Sequence, residues 1–379
     1  MVRGGRLTVG VEEEYLVVDP VSRAVRPDGP RIAERAADVL GGRVGSEFTR
    51  FQVETRTDPH DRVGELGEQI DELRTTVAHA AAEQGLRVVS SGSPVLGEVT
   101  PPPVTDGSRY TASSDHFRAL DDEQSVCACH VHVGLADRAQ ALRVSNHLRP
   151  WLPALVALAA NSPYWAGRDT GYASWRAMTW ARWPAAGAPP YFRSPGHYDD
   201  LVGRLRETGA IMDSGGVYWD VRPSHHVPTL EVRVADAATT TEEAQLCTAL
   251  VRALTDTALD AIAAGEPDPT PGQEVLRAAC WRAARDGLTG HVTDPRTERL
   301  VPVQSLVADL VSHTRTAAER YDDHHFIEQA WQRLREHGGG ADRQRSVHRR
   351  HRRLADVVDH LTITTQTRFK ATQGSRYSA

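Results

Sequence analysis

The sequence predicts an α+β fold, in which strands and helices mix in the first part of the chain and a helical region follows at the C-terminus. Strand-like and helix-like spacings mix from the start of the chain, with no eightfold βα repeat. Four strand-like segments have one apolar face and one polar face, as strands of a one-sided sheet do. From Thr241 onward the spacing is mostly helical.

The first 95 residues predict three strands and two helices. A strand over residues 7–18 precedes a short helix in RIAERAADVLG, which ends at Gly41 and Gly42. RFQVET predicts the second strand. LGEQIDELRTTVAHAAAEQG has apolar residues at helical spacing, and the apolar run LRVVSSGSP predicts the third strand.

The middle of the chain carries two more strand patterns. VCACHVHVGL predicts a strand, and the helix pattern after it is interrupted at Pro150 and Pro153. The region from Pro163 to Pro228 is rich in Trp, Tyr, Gly and Arg, which is typical of binding loops. PTLEVRVAD predicts another strand. We expect one domain over residues 1–379, with a catalytic part at 1–265 and a mostly helical part at 266–379.

Composition excludes several classes of protein. The chain has 379 residues, 40% hydrophobic and 25% charged, with a net charge of -6, which argues against a general nucleic-acid or membrane-surface role. No apolar run approaches the ~20 residues that span a bilayer. The four cysteines follow no Cys-x-x-Cys spacing and predict reduced thiols. We therefore expect a cytoplasmic protein.

Lys370 is the only lysine in the chain. A Walker-type phosphate loop, a pyridoxal Schiff base and a kinase-type nucleotide clamp each need a lysine, so none of them has a plausible candidate here. Any phosphate chemistry must use metal ions, arginine or backbone amides.

The polar faces of the four strands carry mostly Glu, His and Arg. The polar face of any one strand, taken alone, has an ordinary interpretation as a solvated face or a surface ion pair. Together they differ from a solvent face, which normally mixes Thr, Lys, Ser and Gln. The residues that alternation places together are Glu12 with Glu14, Gln52 with Glu54, His130 with His132, and Glu231 with Arg233.

Carboxylates gathered on one sheet face predict bound cations. Like charges repel by several kcal/mol at low dielectric unless positive charge lies among them. Oxygen-rich ligation suits Mg²⁺ or Mn²⁺ better than structural zinc, and such ions would hold the β- and γ-phosphates of a nucleotide. Glu13 has the opposite parity, so we expect it to pair with an arginine from a helix behind the sheet.

Nine segments in this order resemble bacterial carboxylate–amine ligases of the glutamate–cysteine ligase type 2 family. The resemblance covers nearly the whole chain. The segments are TVGVEEEYLVVDP, FQVET, ACHVHVG, ANSPYWAGRDTGYASWR, WARWP, YWDVRPS, PTLEVRVAD, AACWRAARDGL and GGGADRQR.

The resemblance implies a glutamine-synthetase-like catalytic fold, with helices packed on one side of a curved, largely antiparallel sheet. The concave face of that sheet binds ATP and Mg²⁺. Such ligases transfer the γ-phosphate of ATP to a carboxylate, and an amine then displaces phosphate from the acyl phosphate to form an amide. A glutamate-like carboxylate, an amine and a weak glutamate–cysteine ligase activity are the expected substrates and reaction. No nucleic-acid or membrane partner is expected, and a homo-oligomer stays open.

By similarity to this family, acidic residues and one histidine hold the metal ions. Glu47 has the opposite parity to Glu54, so a bulge or turn must intervene. The implied sets are Glu14 with Glu54, Glu12 with His130 and Glu231, and Glu12 and Glu231 with Glu47.

Arginines are the remaining expected site residues. Arg233 beside Glu231 is placed to neutralise the transferring phosphoryl group, and both are expected to be catalytic. Arg343 and Arg345 follow three glycines and are expected to reach phosphate, although a helix end followed by a new helix explains them equally well. The expected ATP ligands are Arg233, His132, Arg343 and Arg345. The expected substrate pocket comprises Arg176, Arg182, Arg222, Trp175, Tyr218 and Trp219, although a structural role explains each of these six residues about as well.

Two other functions fit parts of the pattern. His-x-His on a strand also occurs in metal-dependent amidohydrolases, which need no nucleotide, but these place it on the first strand of a βα barrel. A binding module without catalysis predicts a degraded ligand set, whereas this set is intact. Amine-dependent ADP formation, ATP-independent amide cleavage and nucleotide binding without turnover distinguish the three.

Overall fold

The structure, a computed structural model, describes residues 6–365, and Lys370 lies outside them. The strands of this part are β1 Val9–Val18, β2 Val44–Ser46, β3 Gln52–Arg56, β4 Arg87–Val89, β5 Ala128–Gly134, β6 Tyr164–Trp165, β7 Arg168–Asp169, β8 Ala186–Gly187, β9 Tyr218–Trp219, β10 Val221–Pro223, β11 Thr229–Asp236, β12 His291–Asp294 and β13 Arg299–Pro302. Its helices are α1 Gly29–Leu40, α2 Val63–Ala82, α3 Ser108–Phe117, α4 Ala119–Asp122, α5 Arg138–Leu148, α6 Leu152–Leu158, α7 Trp175–Trp180, α8 Pro195–Glu207, α9 Thr241–Ala263, α10 Gln273–Asp286, α11 Val303–His313, α12 Arg315–Arg320, α13 His324–His337, α14 Gly340–His351 and α15 Leu354–Thr365.

A seven-stranded sheet organises the fold. Its strand order is β10-β11-β5-β1-β3-β2, with β4 also paired to β1, and every pairing in it is antiparallel. All four polar-faced segments belong to this sheet, as β1, β3, β5 and β11. The predicted α+β architecture is confirmed.

The apolar face of the sheet packs against long helices. Val9 and Val11 of β1 belong to one buried cluster with residues of α2, α5 and α9. Helix α9 begins with a capping box, in which the Thr240 hydroxyl accepts the Glu243 N–H over 3.3 Å and the Glu243 carboxylate accepts the Thr240 N–H over 3.1 Å. The cluster therefore fixes this face of the sheet against helices, as the sequence pattern predicts.

Proline interrupts the long helix of the middle region where the sequence predicts it. Helix α5 ends at Leu148, a 3-10 turn covers Arg149–Trp151, and α6 begins at Leu152. Proline lacks the N–H that continues the helical hydrogen bonds. Pro150 and Pro153 lie in the first positions of the turn and of α6, where that N–H is not needed.

Helix α15 also covers one end of the polar face. Leu16 and Val18 of β1 pack in a buried cluster with Val357, Val358 and Leu361 of α15. The even-numbered face of β1 is therefore acidic in its first half and apolar in its second. The acidic residues are confined to a patch near the centre of the sheet.

Several elements were not predicted. Helix α8 lies in the region from Pro163 to Pro228 that was predicted to form binding loops, and α3 lies where no helix was predicted. The hairpin β12–β13 lies in the region predicted to be helical. Every helix within residues 6–365 is too short or too polar to span a lipid bilayer. The division at residue 265 stays a prediction, and one apolar cluster includes residues from both sides of it, such as Val9 and Trp331.

Candidate active site

Strand register brings the polar residues of four strands together. Directly opposed residues of an antiparallel pair point to the same face of the sheet. The structure therefore gathers on one face the residues that alternation alone could only assign strand by strand. The opposed pairs are Glu12 with His130, Glu14 with Glu54, His132 with Glu231, and Arg222 with Glu231.

Glu14, Glu47 and Glu54 form the first acidic group. Each offers a carboxylate oxygen, and these oxygens lie within 4.8 Å of one another. Burial, reinforced by the charge of Glu47, raises the pKa of Glu14 to about 8. Burial also raises the pKa values of Glu47 and Glu54. Three carboxylates this close cannot all be ionised without a cation.

Glu47 joins this group through a turn. Strand β2 ends at Ser46 and β3 begins at Gln52, so Glu47 precedes the reversal of the chain. The Phe48 N–H donates to its carboxylate. The expected turn is present, but the structure groups Glu47 with Glu14 and Glu54, whereas the resemblance assigned it to Glu12 and Glu231.

Glu12, His132 and Glu231 form the second group, whose ligand atoms also lie within 4.8 Å of one another. The resemblance assigned His130 here instead. His130 Nδ1 lies 3.3 Å from the Glu12 carboxylate, and His132 Nε2 lies 3.6 Å from it. Glu231 is the cross-strand neighbour of His132, which explains why His132 completes the group. Burial opposes ionisation of Glu12, but the two neighbouring histidines hold its pKa well below the usual range.

Glu231 anchors two arginines. Its carboxylate accepts the Arg222 Nε–H over 2.8 Å and forms an ion pair with Arg233. Burial opposes ionisation, but Arg233 and Arg222 outweigh it and hold the pKa of Glu231 well below the usual range. The Arg233 guanidinium lies 5.8 Å from the centre of the Trp180 ring. Arg233 is therefore fixed beside both acidic groups.

The two groups fit a divalent cation. Carboxylate oxygens are the ligands that Mg²⁺ and Mn²⁺ prefer. Glu14, Glu47 and Glu54 have raised pKa values although Arg56 pairs with Glu54, so the group still lacks positive charge. Among residues 6–365, the buried Nε2 atoms of His130 and His132 have no hydrogen-bond partner. Burial, followed by Arg233, lowers the pKa of His130 to about 4, which keeps its ring neutral.

We expect Mg²⁺ binding at pH 7 to release protons. The pKa of Glu14 is about 8 without metal, so the group holds a proton at pH 7 that the cation must displace. Affinity for Mg²⁺ should therefore rise as the pH rises from 6 to 8. Titration calorimetry in buffers of different ionisation enthalpy measures the released protons. Glu14→Gln should release fewer, and equal heats in all buffers would contradict this account.

The structure separates the expected substrate residues. Arg176 is buried and donates to the backbone carbonyl oxygens of Arg233, over 2.9 Å, and Val234, over 3.4 Å. Arg182 is exposed and pairs with Glu123. Arg222, by contrast, pairs with Glu231 and so contacts the second acidic group. The substrate roles of all three stay predictions.

The expected aromatic walls have different surroundings. Trp219 is buried in an apolar cluster with Phe192 and Tyr198. Tyr218 lies 4.8 Å from Trp180, ring centre to ring centre, and so belongs to the aromatic group beside Arg233. Trp175 contacts Tyr172 instead. Tyr218 is the aromatic residue of this set that the structure places next to the site.

Arg343 and Arg345 are engaged outside the two acidic groups. Arg343 pairs with Glu243 over 2.5 Å, and Arg345 pairs with Asp169 over 2.8 Å. The interpretation of the three glycines as a helix end followed by a new helix is confirmed. Gly338 has φ +80° after α13, and α14 begins at Gly340. Binding of ATP by either arginine stays a prediction.

Sequence reasoning missed two residues on this face, Arg56 and Asp220. Arg56 pairs with Glu54, while Gln52, which alternation had placed beside Glu54, donates to Glu14 over 3.2 Å. Arg56 has the same parity as Gln52 and Glu54, so alternation already indicated it. Asp220 has the parity of Arg222 in YWDVRPS and was overlooked because β10 contains only three residues.

Comparisons with known proteins agree on one family. The profile of the glutamate-cysteine ligase family 2 (GCS2) matches residues 8–360. A protein of Saccharopolyspora erythraea, provisionally named glutamate–cysteine ligase 2-1, is 47% identical over 361 residues and 95% of each chain. A protein of Mycobacterium sp. (strain KMS), provisionally named glutamate–cysteine ligase 2-2, is 44% identical over 361 residues, 94% of this chain and 98% of its own.

Solved structures share the fold at low sequence identity. The glutamate–cysteine ligase of Francisella tularensis in complex with AMP matches with a TM-score of 0.72 and 12% identity, over 96% of this chain and 89% of that one. The ligase PafA, solved with the ubiquitin-like protein Pup, matches with a TM-score of 0.52 and 12% identity, over 98% and 76%. The expected glutamine-synthetase-like class of fold is confirmed.

Proposed function

This chain belongs to glutamate–cysteine ligase family 2, a family of ATP-dependent carboxylate–amine ligases, and from that premise we propose that it couples a glutamate-like carboxylate to an amine through an acyl phosphate. The observation that carries the proposal is the pair of acidic groups on one sheet face, with Arg233 paired to Glu231 of the second group and its charge acting on Glu14 and Glu47 of the first. This arrangement provides cation sites and a fixed positive charge without lysine.

The acidic groups and Arg233 have different roles in phosphoryl transfer. Divalent cations bound to the two groups would hold the β- and γ-phosphates and offset their charge. Arg233 approaches the transferring phosphoryl group from β11, and Glu231 fixes its guanidinium in one orientation. Transfer of this kind needs positioning and charge rather than a covalent nucleophile. The carboxylate oxygen of the substrate attacks, and ADP leaves.

The amidohydrolase alternative has no support. His130 and His132 lie on an open antiparallel sheet of seven strands, whereas the expected hydrolase arrangement is the first strand of a βα barrel. The acidic groups are intact, which also argues against a binding module without catalysis.

Substrates and location are the finer parts of the proposal. We infer glutamate as the carboxylate and cysteine as one amine, used weakly, because relatives at 41–47% identity are provisionally named glutamate–cysteine ligases. A cytoplasmic location is supported by the four free cysteines. Self-association into a homo-oligomer stays a prediction.

ADP formation with ATP, Mg²⁺, glutamate and a panel of amines including cysteine tests the function. We expect ADP to form only when glutamate and an amine are both present, and chelation of the metal with EDTA to stop it. Added Mg²⁺ or Mn²⁺ should restore it. Amide cleavage without ATP, or nucleotide binding without turnover across the panel, would contradict the ligase.

A further inference from the structure

Asp220 is a carboxylate on the face of the site that neither acidic group includes. Strands β10 and β11 pair Arg222 with Glu231, and at the next position the Arg233 N–H donates to the Asp220 carbonyl oxygen over 2.8 Å. Opposed residues of an antiparallel pair point to the same face. Asp220 therefore shares the face of Glu231 and Arg233.

The Asp220 side chain is mostly buried and pairs with no protein group. The residue is 9% exposed, and no hydrogen bond or ion pair joins its side chain to another of residues 6–365. Its carboxylate oxygens are not among the fully buried atoms that lack a partner, so they reach solvent. The two arginines whose charge acts on it are engaged elsewhere, Arg233 with Glu231 and Arg176 with backbone carbonyl oxygens. A mostly buried carboxylate that reaches solvent and pairs with no protein group is available to a ligand or a proton.

The structure leads us to propose that Asp220 accepts the proton of the amine substrate before that amine attacks the acyl phosphate. The inference rests on the proposed function and adds the second half-reaction to it. The amine enters as R–NH3+ and passes one proton to the carboxylate. Its freed electron pair forms the C–N bond while the C–O bond to phosphate breaks, and the second proton leaves with the phosphate.

The surrounding charges favour this transfer. An ammonium ion beside Arg176 and Arg233 is less stable than the neutral amine, because like charges disfavour the protonated form. Burial raises the pKa of Asp220 to about 6, and the two arginines keep it from rising further. The Cys280 thiol, which the Asp220 charge also reaches, stays neutral because burial raises its pKa. Asp220 is thus ionised at pH 7, and its pKa is close enough to the working pH for it to act as a proton acceptor.

Asp220→Asn separates the two half-reactions. Hydroxylamine is neutral at pH 7, so it traps the acyl phosphate as a hydroxamate without a proton acceptor. With ATP, Mg²⁺ and glutamate, we expect the variant to keep hydroxamate formation and to lose about 100-fold in amide formation with amines that are protonated at pH 7. Asp309→Asn, which changes an exposed carboxylate of α11, is the matched control and should alter neither rate.

Two results would overturn the role of Asp220. The first is an Asp220→Asn variant that melts like the wild type but loses hydroxamate and amide formation to the same extent. The second is a variant that keeps both hydroxamate and amide formation at the wild-type rate. If the Asn variant does not fold, Asp220→Ser is measured in the same two assays with the same criteria. If the wild-type protein itself forms neither hydroxamate nor ADP, the proposed function fails, and that outcome is distinct from failure of Asp220.

Discussion

Glu231→Gln should reduce ADP formation at least about a thousand-fold while the fold stays intact. The carboxylate accepts a hydrogen bond from Arg222, forms an ion pair with Arg233 and belongs to the second acidic group. The amide keeps the volume of the side chain but removes the charge that orients both arginines and attracts a cation. The rate of ADP release under saturating ATP and Mg²⁺ measures the effect, and thermal melting measures the fold.

Glu242→Gln is the matched control for this variant. Glu242 lies on α9, is 44% exposed and pairs with Arg333 away from the two acidic groups. We expect its turnover to equal that of the wild type. Wild-type turnover in the Glu231 variant would instead show that ADP formation needs neither the second acidic group nor the ion pair that holds Arg233.

Arg74→Met should lower the free energy of unfolding by about 3–5 kcal/mol. Arg74 of α2 donates to Glu13 over 2.6 and 2.9 Å, and both side chains are at most 3% exposed. The Tyr15 hydroxyl donates to the same carboxylate over 2.8 Å. Without the guanidinium, Glu13 stays buried behind the sheet without its counter-charge. Denaturation by urea measures the loss.

Arg35→Met and a double variant complete this test. Arg35 forms an exposed pair with Glu83, so its loss should cost less than about 1 kcal/mol. Glu13→Met combined with Arg74→Met should recover much of the stability, because two apolar side chains replace a buried ion pair. A single Arg74 variant as stable as the wild type would show that the pair does not support the sheet.

Alternation along strands predicted most of the acidic face and the separate role of Glu13. The sheet is antiparallel and covered by long helices on one side, so residue parity alone decides which side chains meet those helices. The Glu13–Arg74 pair confirms the prediction of an arginine from a helix behind the sheet. Parity could not choose between His130 and His132, because that choice depends on the register of β5 against β11.

The arginines were harder to predict because their partners lie far away in sequence. Arg176 contacts backbone atoms 57 and 58 positions further along the chain, and Arg345 contacts Asp169, 176 positions earlier. Both arginines lie on helices, Arg176 on α7 and Arg345 on α14, and helical spacing fixes the face of a side chain but not the distant segment that this face meets. A motif rich in arginine therefore predicted binding in general but not which guanidinium faces the site.

Transfer of ¹⁸O from the substrate carboxylate to phosphate tests the central claim most directly. Glutamate labelled with ¹⁸O in its side-chain carboxylate is incubated with the protein, ATP, Mg²⁺ and an accepted amine, and mass spectrometry follows the phosphate released. An acyl phosphate predicts one ¹⁸O atom in phosphate for each amide formed. Unlabelled phosphate accompanying amide formation would show that the carboxylate is not phosphorylated, and would contradict the function assigned to the acidic face.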